Sequence, residues 1–147
     1  MQSPMGAPIL AALAPAVDGI RLSLHVLAAS VWVGGQITVA GLVPTARQLG
    51  DDAPRRVARA FGRLSWPAFV VLIATGVWNV AAVHAGQPHA WTVLLDVKIV
   101  VALLAGVAAG LHTRAGRAGS RTGLAIWGGV AGVTSLAALA MGVFLAG

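Results

Sequence analysis

The sequence predicts an all-α integral membrane protein that folds as a four-transmembrane-helix bundle. Hydrophobic residues make up 58% of the 147 residues, charged residues make up only 10%, and the mean hydropathy is +0.86. Soluble domains carry about 25% charged residues, because water must wet their surface. Four apolar stretches run along this chain, each of the roughly 20 residues that a helix needs to cross a bilayer. We therefore expect one membrane domain in contact with the lipid bilayer.

The four predicted spans are continuously apolar and do not alternate, which favours helices over barrel strands. Their predicted bounds are residues 19–43, 64–83, 90–112 and 123–145. We expect Pro44 to close the first span, Pro67 to lie in the first turn of the second and Pro88 to start the third. Residues 1–17 lack the positive n-region of a signal peptide, so they are predicted to be a short, retained outer tail.

Positive charge is concentrated in two of the three loops. Loops 45–63 and 113–122 hold eight of the ten basic residues, whereas the loop between the second and third spans has none. Cytoplasmic loops carry an excess of arginine and lysine, so these two loops are predicted to be cytoplasmic and both termini extracytoplasmic. The predicted location is the cell (plasma or inner) membrane, with several passes. The same pattern explains the net charge of +6, and no aromatic-basic stretch points to nucleic acid.

Small residues recur at helical spacing in the last two spans. Gly106 and Gly110 form one GxxxG pair, and Gly128 and Gly132 form another. Helices approach closely at such pairs, because packing drives association in lipid. We expect them to pack helices within the chain, and a homodimer through either pair is the alternative.

Each predicted span places one polar or soft side chain in the outer leaflet. These are His25, Asn79, Lys98 and Met141, with His84 and His89 in the outer loop just above them. Counting along the helices puts His25 about 6 Å and Lys98 about 10 Å inside the outer end. An ionisable group inside a membrane is a functional hypothesis by default. These residues together therefore indicate a polar site.

Structural alternatives exist for each of these residues. Lys98 could snorkel to the headgroups, and His25 could be a neutral histidine hydrogen-bonded within the bundle. Asn79 could bridge helices, Met141 could pack, and the two outer histidines could be solvated loop residues. His112 lies at the cytoplasmic end, so a structural role is expected for it.

Helical spacing also predicts which faces the site residues share. One stripe of the first span holds His25, Ala29, Trp32 and Gln36, and one stripe of the third holds Lys98, Ala102, Ala105 and Ala109. Asp96 lies two residues before Lys98, so it should point nearly the opposite way.

Three segments carry a family resemblance over roughly residues 20–113. They are "LHVLAASVWVGG" (Leu24 to Gly35), "RAFGRLSWPAFVVLIATGVWNV" (Arg59 to Val80) and "WTVLLDVKIVVALL" (Trp91 to Leu104). They resemble the copper-resistance protein D (CopD) family, an integral-membrane domain associated with copper uptake or homeostasis. A more distant likeness is to HemJ-type protoporphyrinogen oxidase, a haem b membrane protein. The positions that the resemblance carries over are His25, Trp32, Gly34, Gly35, Thr75, Gly76 and Lys98.

The first functional hypothesis is copper binding, transport or homeostasis. Imidazole and thioether suit copper, so His25 and Met141 would be ligands, with His84 and His89 at an outer access point. The charge of Lys98 opposes this arrangement unless that lysine is displaced, neutral or a gate.

Two alternatives stay open. In the first, haem b binds with His25 as axial ligand, Met141 or an outer histidine as a second ligand, and Lys98 on a propionate. Trp32 and Asn79 would complete that cofactor site. An enzymatic role, as a haem-dependent oxidoreductase, is expected only in this case. In the second alternative, the chain is a structural accessory subunit without chemistry of its own.

Overall fold

A computed structural model describes residues 6–83 and 85–146, and each element within these ranges is a helix. The elements are α1 (Gly6–Ala29), a π-helical turn (Ser30–Gly34), α2 (Gly35–Gln48), α3 (Ala53–Val83), α4 (His89–Arg117) and α5 (Arg121–Ala146). The first three follow one another without a break. Four helical segments are therefore long and apolar enough to cross a membrane. The predicted all-α class and the predicted number of spans are confirmed.

The four segments form two antiparallel hairpins. The first hairpin packs α1 and α2 against α3, and the second packs α4 against α5 along most of their length. Contacts between the two hairpins are fewer. We call the end that holds the turns at residues 49–52 and 118–120 the arginine-rich end, and the opposite end the arginine-poor end.

The turn between α4 and α5 shows why the second hairpin is tight. Gly119 has a φ of +70°, which glycine adopts without strain. The Ser120 N–H donates to the Ala115 carbonyl at 3.0 Å and the Gly119 N–H to the Gly116 carbonyl at 3.4 Å, which closes the end of α4. The Ser120 hydroxyl oxygen then accepts from the Gly123 N–H at 3.1 Å, which caps the start of α5.

The helices extend beyond the apolar stretches, and two proline predictions are wrong. Pro44 does not close the first segment, because α2 continues to Gln48. Pro67 lies well inside α3 and not in its first turn, since α3 begins at Ala53. Neighbouring helices and side chains can compensate for the missing N–H of a membrane-embedded proline, so an apolar run ending at proline does not end the helix.

The other two boundary predictions have different outcomes. Pro88 caps the N-terminus of α4, as expected for a helix starter. The predicted outer tail is helical from Gly6 onward, because α1 begins there and continues into the first span.

Three aromatic rings pack together against α4: Trp32 is buried, Phe69 is half-buried and Trp66 is partly exposed. The ring centroids of Trp32 and Phe69 are 4.4 Å apart, and those of Trp32 and Trp66 are 5.8 Å apart. Gly106 and Gly110 of α4 face this group: a Cβ on Gly106 would lie 2.5 Å from the Phe69 ring, and one on Gly110 3.9 Å from Trp66. The first GxxxG pair thus accommodates aromatic side chains of the other hairpin.

In the second GxxxG pair, only Gly128 lies against a side chain of a neighbouring helix. A Cβ on Gly128 would lie 2.9 Å from Nδ1 of His112, which is 3.0 Å from the carbonyl oxygen of Leu124. His112 therefore lies in the α4–α5 packing at the arginine-rich end. Gly132 has open space around it and lines a cavity of about 150 Å³ together with Gln36.

The outward faces of the helices are apolar. Branched side chains such as Val26, Leu27, Val70, Val107 and Val133 each expose more than half of their surface. Such a continuous apolar exterior suits contact with lipid rather than water.

Candidate functional site

Polar side chains gather in the half of the bundle nearest the arginine-poor end. We call Arg21, His25, Thr75, Asn79 and Lys98 the polar cluster. The first two belong to α1, the next two to α3 and the last to α4. Arg21 and Thr75 are buried, and the other three are half-buried. The cluster therefore draws on three of the four membrane segments.

The geometry around Thr75 favours one tautomer of His25. The Thr75 hydroxyl is placed to donate its single proton to the Val71 carbonyl oxygen at 2.7 Å, with the Leu72 carbonyl oxygen at 3.2 Å. Nδ1 of His25 lies 2.9 Å from the same Oγ1 atom. With the hydroxyl proton directed to Val71, this contact fits an Nδ1–H that donates and an Oγ1 that accepts. Nε2 of His25 then carries the lone pair and is the atom that can bind a metal.

Gly76 lies against the edge of the same imidazole. A Cβ at this position would be 3.6 Å from Cε1 of His25, the carbon between the two ring nitrogens. A larger side chain at position 76 would therefore crowd the side of the ring that leads to Nε2.

Lys98 reaches sideways within the second hairpin. Its Nζ would lie 3.0 Å from a Cβ on Gly142 of α5. His112 of α4 lies against Gly128 of α5, fourteen residues further along each helix. Both pairs therefore follow the same antiparallel register. Lys98 thus stays near its own depth, which speaks against snorkelling toward headgroups.

Trp32 is a predicted site residue and Gln36 lies on its predicted stripe, and both contact α5. The indole Nε1–H of Trp32 donates to Oγ of Ser135 at 3.0 Å, and Nε2 of Gln36 donates to the same oxygen at 3.2 Å. Trp32 is only 3% exposed. It lies seven residues past His25, or roughly 10 Å further along the helix. The structure therefore uses Trp32 to join the two hairpins.

The remaining predicted ligands are more scattered. Met141 is half-buried and precedes Gly142, so it lies near the level of Lys98. His89 is exposed at the first residue of α4. His84 lies outside the described residues.

Asp96 is exposed, and no ion pair joins it to Lys98 within the described residues. This agrees with the opposite directions predicted for these two side chains. Among residues 6–83 and 85–146, no three histidine or acidic side chains are grouped so that they could hold a metal ion.

Arg21 is a member of the cluster that is not among the predicted site residues. It is 5% exposed, and its Nη2 lies 3.1 Å from Oδ1 of Asp18. Its Nε and Nη1 are buried without a hydrogen-bond partner among the described residues, as is Oδ1 of Asn79. The signal was present as two i,i+4 pairs, Arg21 with His25 and Thr75 with Asn79. Each pair lies on one face of its helix.

Comparisons with protein-family models, with curated proteins and with solved structures find no match to this chain. The resemblance to copper-resistance protein D and to HemJ-type oxidases therefore stays a hypothesis, and a functional inference must come from the polar cluster.

Proposed function

We propose that this protein binds haem b through Nε2 of His25, in the extracytoplasmic half of the bundle. The observation that carries the proposal is one imidazole with its Nε2 left for a ligand, in a cluster that also holds two cations, Arg21 on the same helix and Lys98 on α4. Nδ1 of that imidazole is already held by Thr75. A histidine ligand oriented by a hydrogen bond at its other ring nitrogen is the usual arrangement at metal sites.

The donor set suits haem better than a bare copper ion. Haem needs one or two axial donors and presents two carboxylates, which pair well with cationic side chains. A copper ion would need several soft or imidazole donors around it. It would also be repelled by the two cations, because like charges in a low-dielectric site interact strongly.

Several residues of the chain would each have a separate role in binding the ligand. Thr75 keeps the imidazole in one tautomer, and Gly76 leaves space beside the ring. Lys98 supplies positive charge for a propionate from the second hairpin. Bound haem would supply one-electron chemistry at its iron. Four-helix bundles commonly hold cofactors between facing helices.

The predicted orientation would place this site toward the extracytoplasmic side. Eight arginines lie at the opposite end of the bundle, so the polar cluster would lie in the outer leaflet if the positive-inside rule holds here. The chain would then work at or near the outer surface of the cell membrane.

A visible spectrum tests the proposal. Protein expressed with a haem precursor and purified in detergent should show a Soret band, and His25→Ala should lose it. His112→Ala is the matched control, because His112 lies at the arginine-rich end. Absence of the band in the wild type, or equal bands in wild type and His25→Ala, would reject haem binding at His25.

Copper handling is the second candidate. It is supported by the resemblance to copper-resistance protein D and by Met141, a thioether near the level of Lys98. Thioether favours Cu(I). Copper measured on purified haem-free protein should then fall in both His25→Ala and Met141→Leu. Equal copper in all three proteins would exclude this pair of ligands.

A further inference from the structure

Arg21 is a buried cation with unused hydrogen-bond donors. Its side chain is 6% exposed, whereas that of Asp18, its ion-pair partner, is 58% exposed. Only Nη2 reaches Asp18. The Nε–H and both Nη1–H bonds have no acceptor among residues 6–83 and 85–146. Arginine does not give up its proton in proteins, so the charge persists at this position.

Asn79 lies at the same level on the neighbouring helix. His25 of α1 pairs with Thr75 of α3, and Trp32 pairs with Phe69 further along the same interface. In antiparallel helices this register places the next outward turn of α1, at Arg21, opposite the next outward turn of α3, at Asn79. The buried Oδ1 atom of Asn79 is also without a partner in the described part of the chain.

Buried polar atoms in folded proteins almost always have a partner, so unpaired groups on both sides of one interface need an explanation. Water could supply hydrogen bonds but no charge. Inside the bundle, Arg21 and Lys98 carry positive charge, and Asp18, the carboxylate that contacts Arg21, is mostly exposed. The local charge balance therefore favours an anion.

We propose that the unpaired donors of Arg21 bind a carboxylate between α1 and α3, beside Asn79. Guanidinium and carboxylate form short, charge-assisted hydrogen bonds. The carboxylate has two possible sources. It belongs either to the ligand on His25, one turn further in, or to a small free acid that enters from the arginine-poor end. The first source rests on the proposed function and the second does not.

The first experiment measures thermal unfolding in detergent by tryptophan fluorescence. Sodium propionate is compared with sodium chloride at equal ionic strength. Propionate should raise the midpoint of wild type by roughly 2–4 °C and leave Arg21→Gln unchanged. Arg63→Gln is the control, because Arg63 is an exposed arginine near the start of α3. It should respond like the wild type.

Asn79→Asp is a second variant that leaves Arg21 in place. The new carboxylate has the shape of the amide and would itself occupy the site. It should raise the midpoint in chloride and abolish the response to propionate. This variant decides the matter if Arg21→Gln does not fold. An unchanged or lower midpoint in Asn79→Asp, with a normal propionate response, would overturn the proposal in favour of a hydrated arginine.

The second experiment separates the two sources. Haem and its dimethyl ester are titrated into the protein, and the dissociation constants are compared. If Arg21 takes a propionate of haem, Arg21→Gln should weaken haem binding about tenfold and leave binding of the ester unchanged. If haem does not bind at all while propionate stabilises the wild type through Arg21, the proposed function fails and the carboxylate site stands. If haem binds but Arg21→Gln matches the wild type in both experiments, the proposed function stands and the carboxylate site at Arg21 is rejected.

Discussion

Nδ1 of His25 and Oγ1 of Thr75 are 2.9 Å apart across the interface between α1 and α3. The Thr75 hydroxyl is itself tied to the backbone of its own helix at 2.7 Å. The imidazole is therefore positioned by a rigid helix and not by a flexible loop, which is what a ligand-binding histidine requires.

Thr75→Val should destabilise the protein by about 1–3 kcal/mol, because the shape is kept while the buried Nδ1–H loses its acceptor. Thermal or denaturant unfolding in detergent measures this, and Thr75→Ser is the matched control that keeps the hydroxyl. In a His25→Ala background the same substitution should cost much less, since its partner is gone. Equal costs in both backgrounds would show that the hydrogen bond contributes nothing.

Gly106→Ala should destabilise the bundle by about 1–3 kcal/mol, because the new Cβ overlaps the ring of Phe69. Gly132→Ala is the control, since nothing lies within 4 Å of a Cβ there. It should leave the stability unchanged or raise it by up to about 1 kcal/mol, because alanine favours a helix over glycine. Phe69→Leu should restore part of the loss in Gly106→Ala. A loss at Gly132 as large as that at Gly106 would mean that the overlap is not the cause.

Ser135→Ala should destabilise the protein by about 1–3 kcal/mol, because buried donors left without an acceptor are costly. The alanine leaves two donors without an acceptor, the indole N–H of Trp32 and the amide of Gln36. Ser30→Ala is the control, because Ser30 is exposed and bonds only a carbonyl of its own helix. Unfolding midpoints of the two variants measure the difference, and equal midpoints would contradict this role of Ser135.

Single cysteines can test the predicted orientation, because the chain has none of its own. Ala85→Cys and Ala118→Cys form a matched pair, since both alanines are exposed in turns at opposite ends of the bundle. A membrane-impermeant maleimide should label Ala85→Cys in intact cells and Ala118→Cys only after permeabilisation. Labelling in the reverse order would show that the bundle has the opposite orientation in the membrane.

The fold was predictable because lipid imposes a simple pattern. Backbone groups in a bilayer must be hydrogen-bonded internally, so an apolar run of sufficient length becomes a helix. The ends were less predictable. Arg55 and Arg117 belong to predicted loops, but they lie in helices although their surroundings are polar. Pro44 was expected to end a helix and Pro67 to start one, and both lie inside helices.

The sequence predicted the depth of the candidate site residues in the bundle, but not which residues they contact. Counting residues placed His25 and Lys98 at similar levels, and both side chains are half-buried in the structure. Which residue holds His25 depends on the register between α1 and α3, and hydropathy does not contain that register. Ser135 lies in an apolar run, where a serine commonly bonds its own backbone, so nothing in the sequence indicated its contact with Trp32.

The π-helical turn at Ser30–Gly34 has a consequence for the first membrane segment. It inserts one residue, so the helix before it and the helix after it differ in rotational phase by about 100° from an unbroken α-helix. His25 can thereby face α3 while Gln36 faces α5. Deleting a single residue from this turn would rotate α2 by about 100° relative to α1 and carry Gln36 away from Ser135. This membrane segment should therefore tolerate substitutions far better than changes in length.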